Sequence, residues 1–206
     1  AACHGRAVIF SNELVDAFAV RRFQNTADSW RELMVKIPSG RDAIESLGKI
    51  SAPPSSSSFH QPHPIGQWIE VHESYQHWMS EWMPLWKSGR MLTIDYGNSA
   101  EKIYHRRPAG TLRGYHFQQL IEGAEIYRHP GHRDLTADVN FSDLIDWSNE
   151  WTGTSRLQTF ADFLQFHAEP RNESDRFLID ENGAGSAFMA LEQSCKKSSE
   201  KPPAPR

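Results

Sequence analysis

The sequence predicts an α/β fold with a mixed sheet, and three observations support this prediction. Two short apolar runs, residues 7–10 and 91–97, have the continuous hydrophobicity of buried strands in a parallel sheet. Segments with helical periodicity lie between and after these runs, and alternation of strands with helices is typical of α/β proteins. Residues 176–179 and 186–192 predict two closing strands, joined by a hairpin-like turn at Asn182-Gly183.

The first part of the chain predicts a strand followed by an antiparallel pair. A short turn or helical corner is expected over residues 12–18, directly after the first strand. Residues 20–23 and 30–37 alternate apolar and polar side chains, as half-exposed antiparallel strands do. Residues 50–64 are rich in Ser and Pro and therefore predict a loop.

A helix is predicted over residues 65–83, ended or kinked by Pro84. Its large side chains recur at steps of three and four: Trp68, His72, Tyr75, Met79, Trp82 and Trp86. Such a stripe could form a cofactor box, but a face packed on the core is the favoured interpretation.

Further along, residues 111–117 predict an extended segment. Asn140 and Thr159 are each followed three positions later by an aspartate, which indicates the N-caps of two helices. The Pro-rich, charged segment 196–206 is expected to be a disordered tail.

Composition excludes several functional classes. The chain has 206 residues, a net charge of −4 and a pI of about 6.2, so no basic field indicates nucleic-acid binding. No apolar run approaches the ~20 residues of a membrane span, so no membrane association is expected. Cys3 and Cys195 suggest no disulfide framework, which makes a reducing cytoplasm the default compartment.

No metal site is predicted, although the chain has ten histidines. The pairs His60/His63 and His129/His132 have i, i+3 spacing, but both lie in proline-containing loops without a cysteine or carboxylate at ligand spacing. The nucleophile motif of serine hydrolases and the phosphate-binding P-loop motif are both absent from the sequence.

Polar residues at strand ends are the remaining candidates for chemistry, because ligands of open α/β sheets bind outside the carboxyl ends of strands. They fall into three groups: Asn12, Glu13 and Asp16; Asp95 and Tyr96; Asp134 and Asp138. The first and third groups could also cap helices. For Asn12-Glu13, the position directly behind a strand favours a functional role.

Four segments, taken in order, resemble the MidA family of class I S-adenosylmethionine-dependent methyltransferases. They are residues 9–18 (Ile-Phe-Ser-Asn-Glu-Leu-Val-Asp-Ala-Phe), 92–97 (Leu-Thr-Ile-Asp-Tyr-Gly), 110–115 (Gly-Thr-Leu-Arg-Gly-Tyr) and 130–141 (Pro-Gly-His-Arg-Asp-Leu-Thr-Ala-Asp-Val-Asn-Phe). The resemblance runs from about residue 7 to residue 192, and the family includes a mitochondrial protein arginine methyltransferase that assists respiratory complex I assembly.

The resemblance implies a Rossmann-like mixed sheet corresponding to the C-terminal part of the family's domain. Residues 7–10 and 92–95 would be its fourth and fifth strands, and residues 21–64 an insertion that helps to build the substrate cleft. The expected organisation is a partial methyltransferase domain over residues 1–195. The family's glycine-rich loop and ribose-binding carboxylate would lie before Ala1, so the main binding loop for S-adenosylmethionine is expected to be missing.

The resemblance also implies roles for the strand-end residues. Glu13 would orient a guanidinium acceptor with support from Asp16, and Asn12 would orient substrate or cofactor. Further substrate-binding positions are Tyr115 and His116 in the acceptor channel, and Asp134 and Asp138 at its mouth. The expected partner is a protein substrate, with self-association possible through an exposed sheet edge, and the expected location is the cytoplasm, or the mitochondrion in a eukaryote.

Two alternatives to an arginine methyltransferase remain open. One is a non-catalytic remnant of the family that acts as a protein-binding module. The other is an unrelated α/β hydrolase or binding domain, which the absent nucleophile motif disfavours.

Overall fold

The computed structural model describes residues 4–39, 43–50, 52–117, 119–128, 131–180 and 182–196. Its strands are β1 (Ile9–Asn12), β2 (Arg21–Asn25), β3 (Trp30–Lys36), β4 (Ile44–Lys49), β5 (Trp68–Val71), β6 (Arg90–Asn98), β7 (Arg113–His116), β8 (Gln119–Ile121), β9 (Asp134–Thr136), β10 (Val139–Asn140), β11 (Thr152–Thr159) and β12 (Phe188–Cys195). Its α-helices are α1 (Glu73–Trp82), α2 (Phe141–Ser148), α3 (Phe160–His167) and α4 (Glu173–Ile179). The predicted α/β class is confirmed.

A mixed sheet forms the centre of the fold, with the strand order β1-β6-β12-β11. β1 and β6 run parallel, whereas β12 is antiparallel to both β6 and β11. The short strand β10 pairs with the end of β6 in parallel. The sheet therefore presents the carboxyl ends of β1 and β6 side by side, which is where the polar candidates were expected.

The first predicted strand begins two residues later than expected, and it lies at the edge of the described sheet. β1 pairs with β6 on one side, with Ile9 opposite Met91. Val8 is 83% exposed and Phe10 is 65% exposed, so apolar surface flanks an unpaired strand edge. Such edges are ready templates for pairing with another chain.

We expect the 206-residue chain to self-associate through this edge. Val8→Lys should shift the population towards monomer, because a charged side chain beside an edge strand opposes further pairing. Ile65→Lys is the matched control, since Ile65 is also exposed but lies outside the sheet. Light scattering over a dilution series measures the effect, and a wild-type chain that is monomeric at every concentration would contradict it.

A second, antiparallel sheet has the order β4-β3-β2-β5. Pairing of β2 with β3 confirms the antiparallel pair predicted near residues 20–23 and 30–37. The prediction of one helix over residues 65–83 was wrong in its first part, because Trp68–Val71 forms β5 and α1 begins only at Glu73. Cross-strand pairing of Phe23 with Ile69, both fully buried, stabilises the strand over the helix.

The aromatic stripe contributes to the core, as the sequence favoured. Tyr75, Met79 and Trp86 are buried in the central cluster, with Trp82 packed against it. Phe141 and Leu191 in the same cluster come from α2 and β12. The helix α1 is thereby fixed against the central sheet, on the side where β1 ends.

The predicted closing strand at residues 176–179 was wrong, because these residues belong to α4. Asn172 caps this helix by accepting a hydrogen bond from the Asp175 amide. This cap, which lies in a short polar segment, was not recognised from the sequence. The partner of β12 is instead β11, with Leu157 opposite Leu191. Both predicted helix caps, Asn140 and Thr159, are confirmed.

A third sheet, with the order β8-β7-β9, contains the predicted extended segment around Tyr115. Cys3, His129 and the expected tail beyond residue 196 lie outside the described residues. No helix within the described ranges is both long enough and apolar enough to cross a bilayer.

Candidate active site

The chain turns sharply at Glu13, directly after β1. The backbone of Glu13 has φ 48°, in the left-handed region that non-glycine residues rarely adopt. Its amide donates to the carbonyl oxygen of Ile94 on β6 at 3.0 Å, which extends the parallel pairing by one residue. The turn directs the following residues, 14–16, across the end of β6.

Asp95, in the second half of β6, holds that turn in place. Its Oδ2 accepts hydrogen bonds from the amides of Leu14 at 3.2 Å, Val15 at 2.9 Å and Asp16 at 3.4 Å. Its Oδ1 accepts from the amide of Tyr96 at 2.9 Å. Both carboxylate oxygens are thus engaged by backbone groups, so Asp95 supports the site rather than presenting a free ligand.

Burial and the negative charge of Asp16 raise the pKa of Asp95 to about 7. Between the usual carboxyl pKa and about pH 7, Asp95 is therefore protonated in the folded protein and ionised in the unfolded chain. The sign follows by linkage: Asp95 contributes most to stability at low pH, and this contribution is lost as pH rises through the folded pKa.

We expect the melting temperature of the wild type minus that of Asp95→Asn to fall from about pH 5 to about pH 8. Asparagine keeps an acceptor oxygen but never ionises, so the variant lacks this titration. The subtraction also cancels the titration of other groups. Paired thermal melts across this range measure the effect, and a difference that does not vary with pH would refute it.

Asp16 carries the most unusual carboxylate of the site. It is 8% exposed, and its Oδ2 accepts from the hydroxyl of Thr136 at 2.7 Å. Its Oδ1 is buried without a hydrogen-bond partner. Because buried polar atoms are nearly always paired, a carboxylate oxygen in this state carries a desolvation cost that no described hydrogen bond offsets.

A cavity of about 480 Å³ adjoins Asp16. Its apolar lining includes Phe18 from the turn after β1, Leu33 from β3, Leu112 directly before β7 and Leu135 from β9. The cavity thus combines an apolar wall with a carboxylate, a combination that suits a side chain with a hydrocarbon stem and a cationic head.

Two arginines also line this cavity, but other carboxylates hold them. Arg21 forms ion pairs with Glu32 at 2.7 Å and Glu73 at 2.9 Å, and Arg22 pairs with the buried Glu70 at 3.1 Å. Their charges are therefore compensated within the protein. Asp16, by contrast, forms no ion pair with a described residue.

Glu13 precedes Asp16 in the turn after β1 but does not line the cavity. Its side chain is exposed, and the Asn12 amide nitrogen donates to its Oε1 at 3.2 Å. Burial together with the charges of Glu13 and Asp16 raises the pKa of Tyr96. The structure thus brings Asn12, Glu13, Asp16 and Tyr96 together around the ends of β1 and β6.

The remaining predicted residues fall on the third sheet and beside it. Tyr115 and Asp134 face each other across β7 and β9, and both are exposed. His116 points to the opposite face from Tyr115, as successive strand residues do, and its Nδ1 lies 3.3 Å from the carbonyl oxygen of His132. His116 is therefore separated from the channel position expected beside Tyr115.

Asp138 is an ion-paired carboxylate rather than a free one. Its Oδ1 accepts from Arg113 at 2.6 Å, and its Oδ2 pairs with Arg107. The sequence also allowed Asp134 or Asp138 to cap the helix that follows. Asn140 caps that helix, α2, instead. Asp138 instead fixes two arginine side chains beside the site.

Sequence reasoning missed Thr136 and the role of His72. Thr136 lies between Asp134 and Asp138, but nothing local distinguishes a hydroxyl that hydrogen-bonds a carboxylate 120 residues away. His72 was assigned only to the aromatic stripe. It is buried, its Nε2 has no hydrogen-bond partner, and burial lowers its pKa to about 4, so it is neutral at physiological pH.

The fold and the strand-end site define a class I methyltransferase-type α/β protein: a mixed sheet with an antiparallel closing pair, and carboxylates where its parallel strands end. The chain belongs to a family of S-adenosylmethionine-dependent methyltransferases. The matching family model, described as "Putative S-adenosyl-L-methionine-dependent methyltransferase", covers residues 1–160.

Curated relatives agree with this assignment. "Protein arginine methyltransferase NDUFAF7, mitochondrial" from Rattus norvegicus is 32% identical over 143 residues, which cover 68% of this chain and 30% of the relative. The Homo sapiens protein of the same name is 31% identical over 144 residues, again 68% of this chain and 30% of the relative. The matched region thus amounts to 30% of the length of these relatives.

A solved structure shares the fold. A superfamily member from Burkholderia thailandensis bound to S-adenosyl-homocysteine superposes with a TM-score of 0.73 and 22% identity, covering 92% of this chain and 53% of that chain. A native structure of a superfamily protein from the same organism gives a TM-score of 0.72 at 21% identity. At these identities the match shows the fold alone.

Gly97, the glycine beside the strand-end carboxylates, does not offer an open backbone to S-adenosylmethionine. Sites for this cofactor use a glycine-rich loop after a strand, where the backbone approaches the ligand closely. Gly97 lies near the end of β6, but the carbonyl oxygen of Val139 lies 2.0 Å from where its Cβ would stand, so protein already covers that backbone.

Proposed function

We propose that this chain supplies the acceptor side of a protein arginine N-methyltransferase. The observation that carries the proposal is the carboxylate of Asp16 in the lining of a cavity with apolar walls, with no described cation paired to it. The names of the curated relatives support an arginine acceptor. We further propose that the insertion, residues 21–64, forms one wall of this cleft, because Leu33 and Val35 line the cavity.

The acceptor side chain would enter with its hydrocarbon stem along Leu33 and Leu135, and its guanidinium would reach Asp16. A guanidinium is planar and presents N–H groups in a fork that matches a carboxylate, so this contact fixes orientation as well as charge. Glu13, in the turn after β1, offers a second carboxylate. S-adenosylmethionine, when bound, supplies a sulfonium methyl group.

The contribution of these residues is positioning. Transfer of a methyl group is an in-line displacement, and holding the acceptor nitrogen at the correct distance and angle removes much of its entropic barrier. His72 stays neutral near pH 7, so it does not repel the incoming cation. The transfer releases one proton from the acceptor nitrogen, and no residue is assigned as its base.

The test is methyl transfer to matched peptides by the longest natural form of the protein that contains this chain. A peptide with one arginine should accept label from S-adenosylmethionine, whereas the same peptide with lysine should accept at least about tenfold less, because an ammonium lacks the planar fork. Equal labelling of the two peptides would overturn the assignment of the acceptor.

A second candidate function, binding of an arginine-containing protein without catalysis, is favoured by the expectation that the family's main cofactor loop lies outside this chain. For the 206-residue chain we expect weak or undetectable binding of S-adenosylmethionine in titration calorimetry, because no glycine-rich loop holds the ligand. Tight one-to-one binding would refute that expectation. If the longest natural form also fails to transfer label but still binds the arginine peptide, the binding function is the correct one.

The compartment belongs to the same proposal. The curated relatives are named mitochondrial, and we propose a mitochondrial location if the source is eukaryotic and a cytoplasmic one otherwise. Fractionation of the source cells decides between them.

A further inference from the structure

A second cleft, of about 720 Å³, opens at the carboxyl end of β6, and it differs from the acidic cavity in charge. Three arginines line it, Arg106, Arg107 and Arg113, against two carboxylates, Glu122 and Asp138. The described lining therefore carries an excess of positive charge in a protein whose net charge is −4. A concave surface with this excess of positive charge attracts anionic ligands, because the electrostatic field is focused within the cleft.

Asp138 orders two of these arginines without neutralising both. Its two oxygens take one guanidinium each, Arg113 at 2.6 Å and Arg107. The Asp138 side chain is only 9% exposed, so the arrangement is anchored from beneath. A guanidinium has five N–H donors and never loses its charge, which leaves both arginines with donors to offer.

Arg106 adds a third charge that is not compensated. It is exposed, and within the described ranges it takes part in no ion pair. Asn98 also lines the cleft; its Oδ1 accepts from the Ser99 amide at 2.9 Å, which orients the amide group. Charged and neutral donors thus surround one concave space.

The backbone connects this cleft to the acidic site. The amide of Ala137 donates to the carbonyl oxygen of Asp16 at 3.1 Å, and Asp138, the next residue, lines the basic cleft. A carboxylate site for a cation and an arginine site for an anion are therefore neighbours along the same sheet edge. A peptide that carries both charges can occupy them together in only one direction.

We propose that this basic cleft binds an acidic side chain, Asp or Glu, next to the methyl acceptor in the protein substrate. The identity of the occupant as part of a protein substrate rests on the proposed function, whereas the preference for an anion rests on the cleft alone. The cleft thereby selects the sequence around the acceptor and sets the direction in which the substrate lies.

The experiment measures binding of arginine-free probes to the 206-residue chain, so its outcome is independent of methyl transfer. One labelled peptide carries two glutamates between glycines, and the matched peptide carries two glutamines. Fluorescence anisotropy should show at least about tenfold tighter binding of the glutamate peptide, weakening as salt rises. Equal binding of the two peptides would overturn the proposal.

Variants locate the binding in this cleft. Arg106→Gln should weaken binding of the glutamate peptide at least threefold, whereas Arg171→Gln, an exposed arginine outside this cleft, should leave it unchanged. Glu122→Gln should strengthen binding, because it removes an opposing charge, and a misfolded variant could not show such a gain. Equal losses in Arg106→Gln and Arg171→Gln would indicate a diffuse charge effect and overturn the proposal.

Inorganic phosphate, as a competitor at constant ionic strength, separates two sources of the anion. Free glutamate is the reference competitor. Phosphate should displace the labelled glutamate peptide no better than free glutamate does. Displacement by phosphate at a concentration at least tenfold lower than that of glutamate would show a phosphate site instead, and would contradict the proposal.

Discussion

Asp16→Asn is expected to lower methyl transfer to an arginine acceptor by about a hundredfold, which corresponds to ~2.7 kcal/mol in the activation barrier. Asparagine keeps the shape of the side chain and an oxygen for the hydroxyl of Thr136, but it removes the charge that would pair with the guanidinium. Because Asp16 is 8% exposed, that charge acts in a medium where electrostatic attraction is less screened than in water.

Glu13→Gln is the comparison variant, and its expected loss is about tenfold, or ~1.4 kcal/mol, with cofactor affinity nearly unchanged. The smaller effect follows from the exposure of Glu13, since water screens its charge. Both variants should be measured in the longest natural form of the protein, as turnover per folded molecule. Full activity in both would show that these carboxylates only shape the turn after β1.

Thermal stability provides an independent test of the role of Asp16. A carboxylate with a buried oxygen that lacks a partner destabilises the folded state, so Asp16→Asn should keep or raise the melting temperature while activity falls. Thr136→Val is the matched control, because it removes the hydrogen bond to the other oxygen and leaves the charge in place. A clear fall in melting temperature for Asp16→Asn would identify a structural role.

Gly97→Ala is expected to destabilise the fold by at least ~3 kcal/mol. Gly97 has φ 146°, and a Cβ there would lie 2.0 Å from the carbonyl oxygen of Val139. β10 and β6 would have to separate, which would also displace Asp138 directly before β10. Loss of stability and loss of the basic cleft should therefore occur together.

Gly66→Ala separates the two causes of destabilisation, which are contact of the added Cβ with the neighbouring backbone and strain from the positive φ. Gly66 also has a positive φ, 91°, but nothing lies within 4 Å of its Cβ position, so only backbone strain of ~1 kcal/mol is expected. Chemical denaturation of both variants gives the comparison. If the two lose the same stability, the close approach of β10 to β6 is not the cause.

The sequence identified the elements whose cues are local. Asn140 and Thr159 cap their helices through atoms two or three residues away, so the signal and the structure share one short segment. The strand around Ile94 was recognised because most of residues 91–96 are apolar, and it lies within the central sheet. Such features require no knowledge of the rest of the chain.

Other elements depend on partners far away in sequence. Trp68–Val71 continues the helical period of the aromatic stripe, yet it forms a strand because β2 offers it a buried partner. Thr152–Thr159 is polar and has no strong strand pattern, and it is a strand because β12 lies beside it. In both cases tertiary pairing overrides the local preference.

The residues of the candidate site divide in the same way, into those recognised from local cues and those that depend on contacts distant in sequence. The positions of Glu13 and Asp16 after a strand could be read from the sequence, because strand ends of α/β sheets gather polar residues. That Asp95 holds the amides of residues 14–16, and that Arg21 and Arg22 are already paired, depends on contacts 11 to 81 residues apart. Which carboxylate stays free is decided by those contacts.

The pairing of β1 with β6 also sets the order in which the protein can form during synthesis. Ser11 and Thr93, which face each other across these strands, are 82 residues apart. At a translation rate of ~5–20 residues per second, β1 waits about 4 to 16 seconds for its partner. During that interval the side of β1 that will pair with β6 has no partner strand. The nascent chain is therefore expected to depend on holding chaperones most strongly before residue 98 emerges, a window that crosslinking of stalled nascent chains of increasing length would detect.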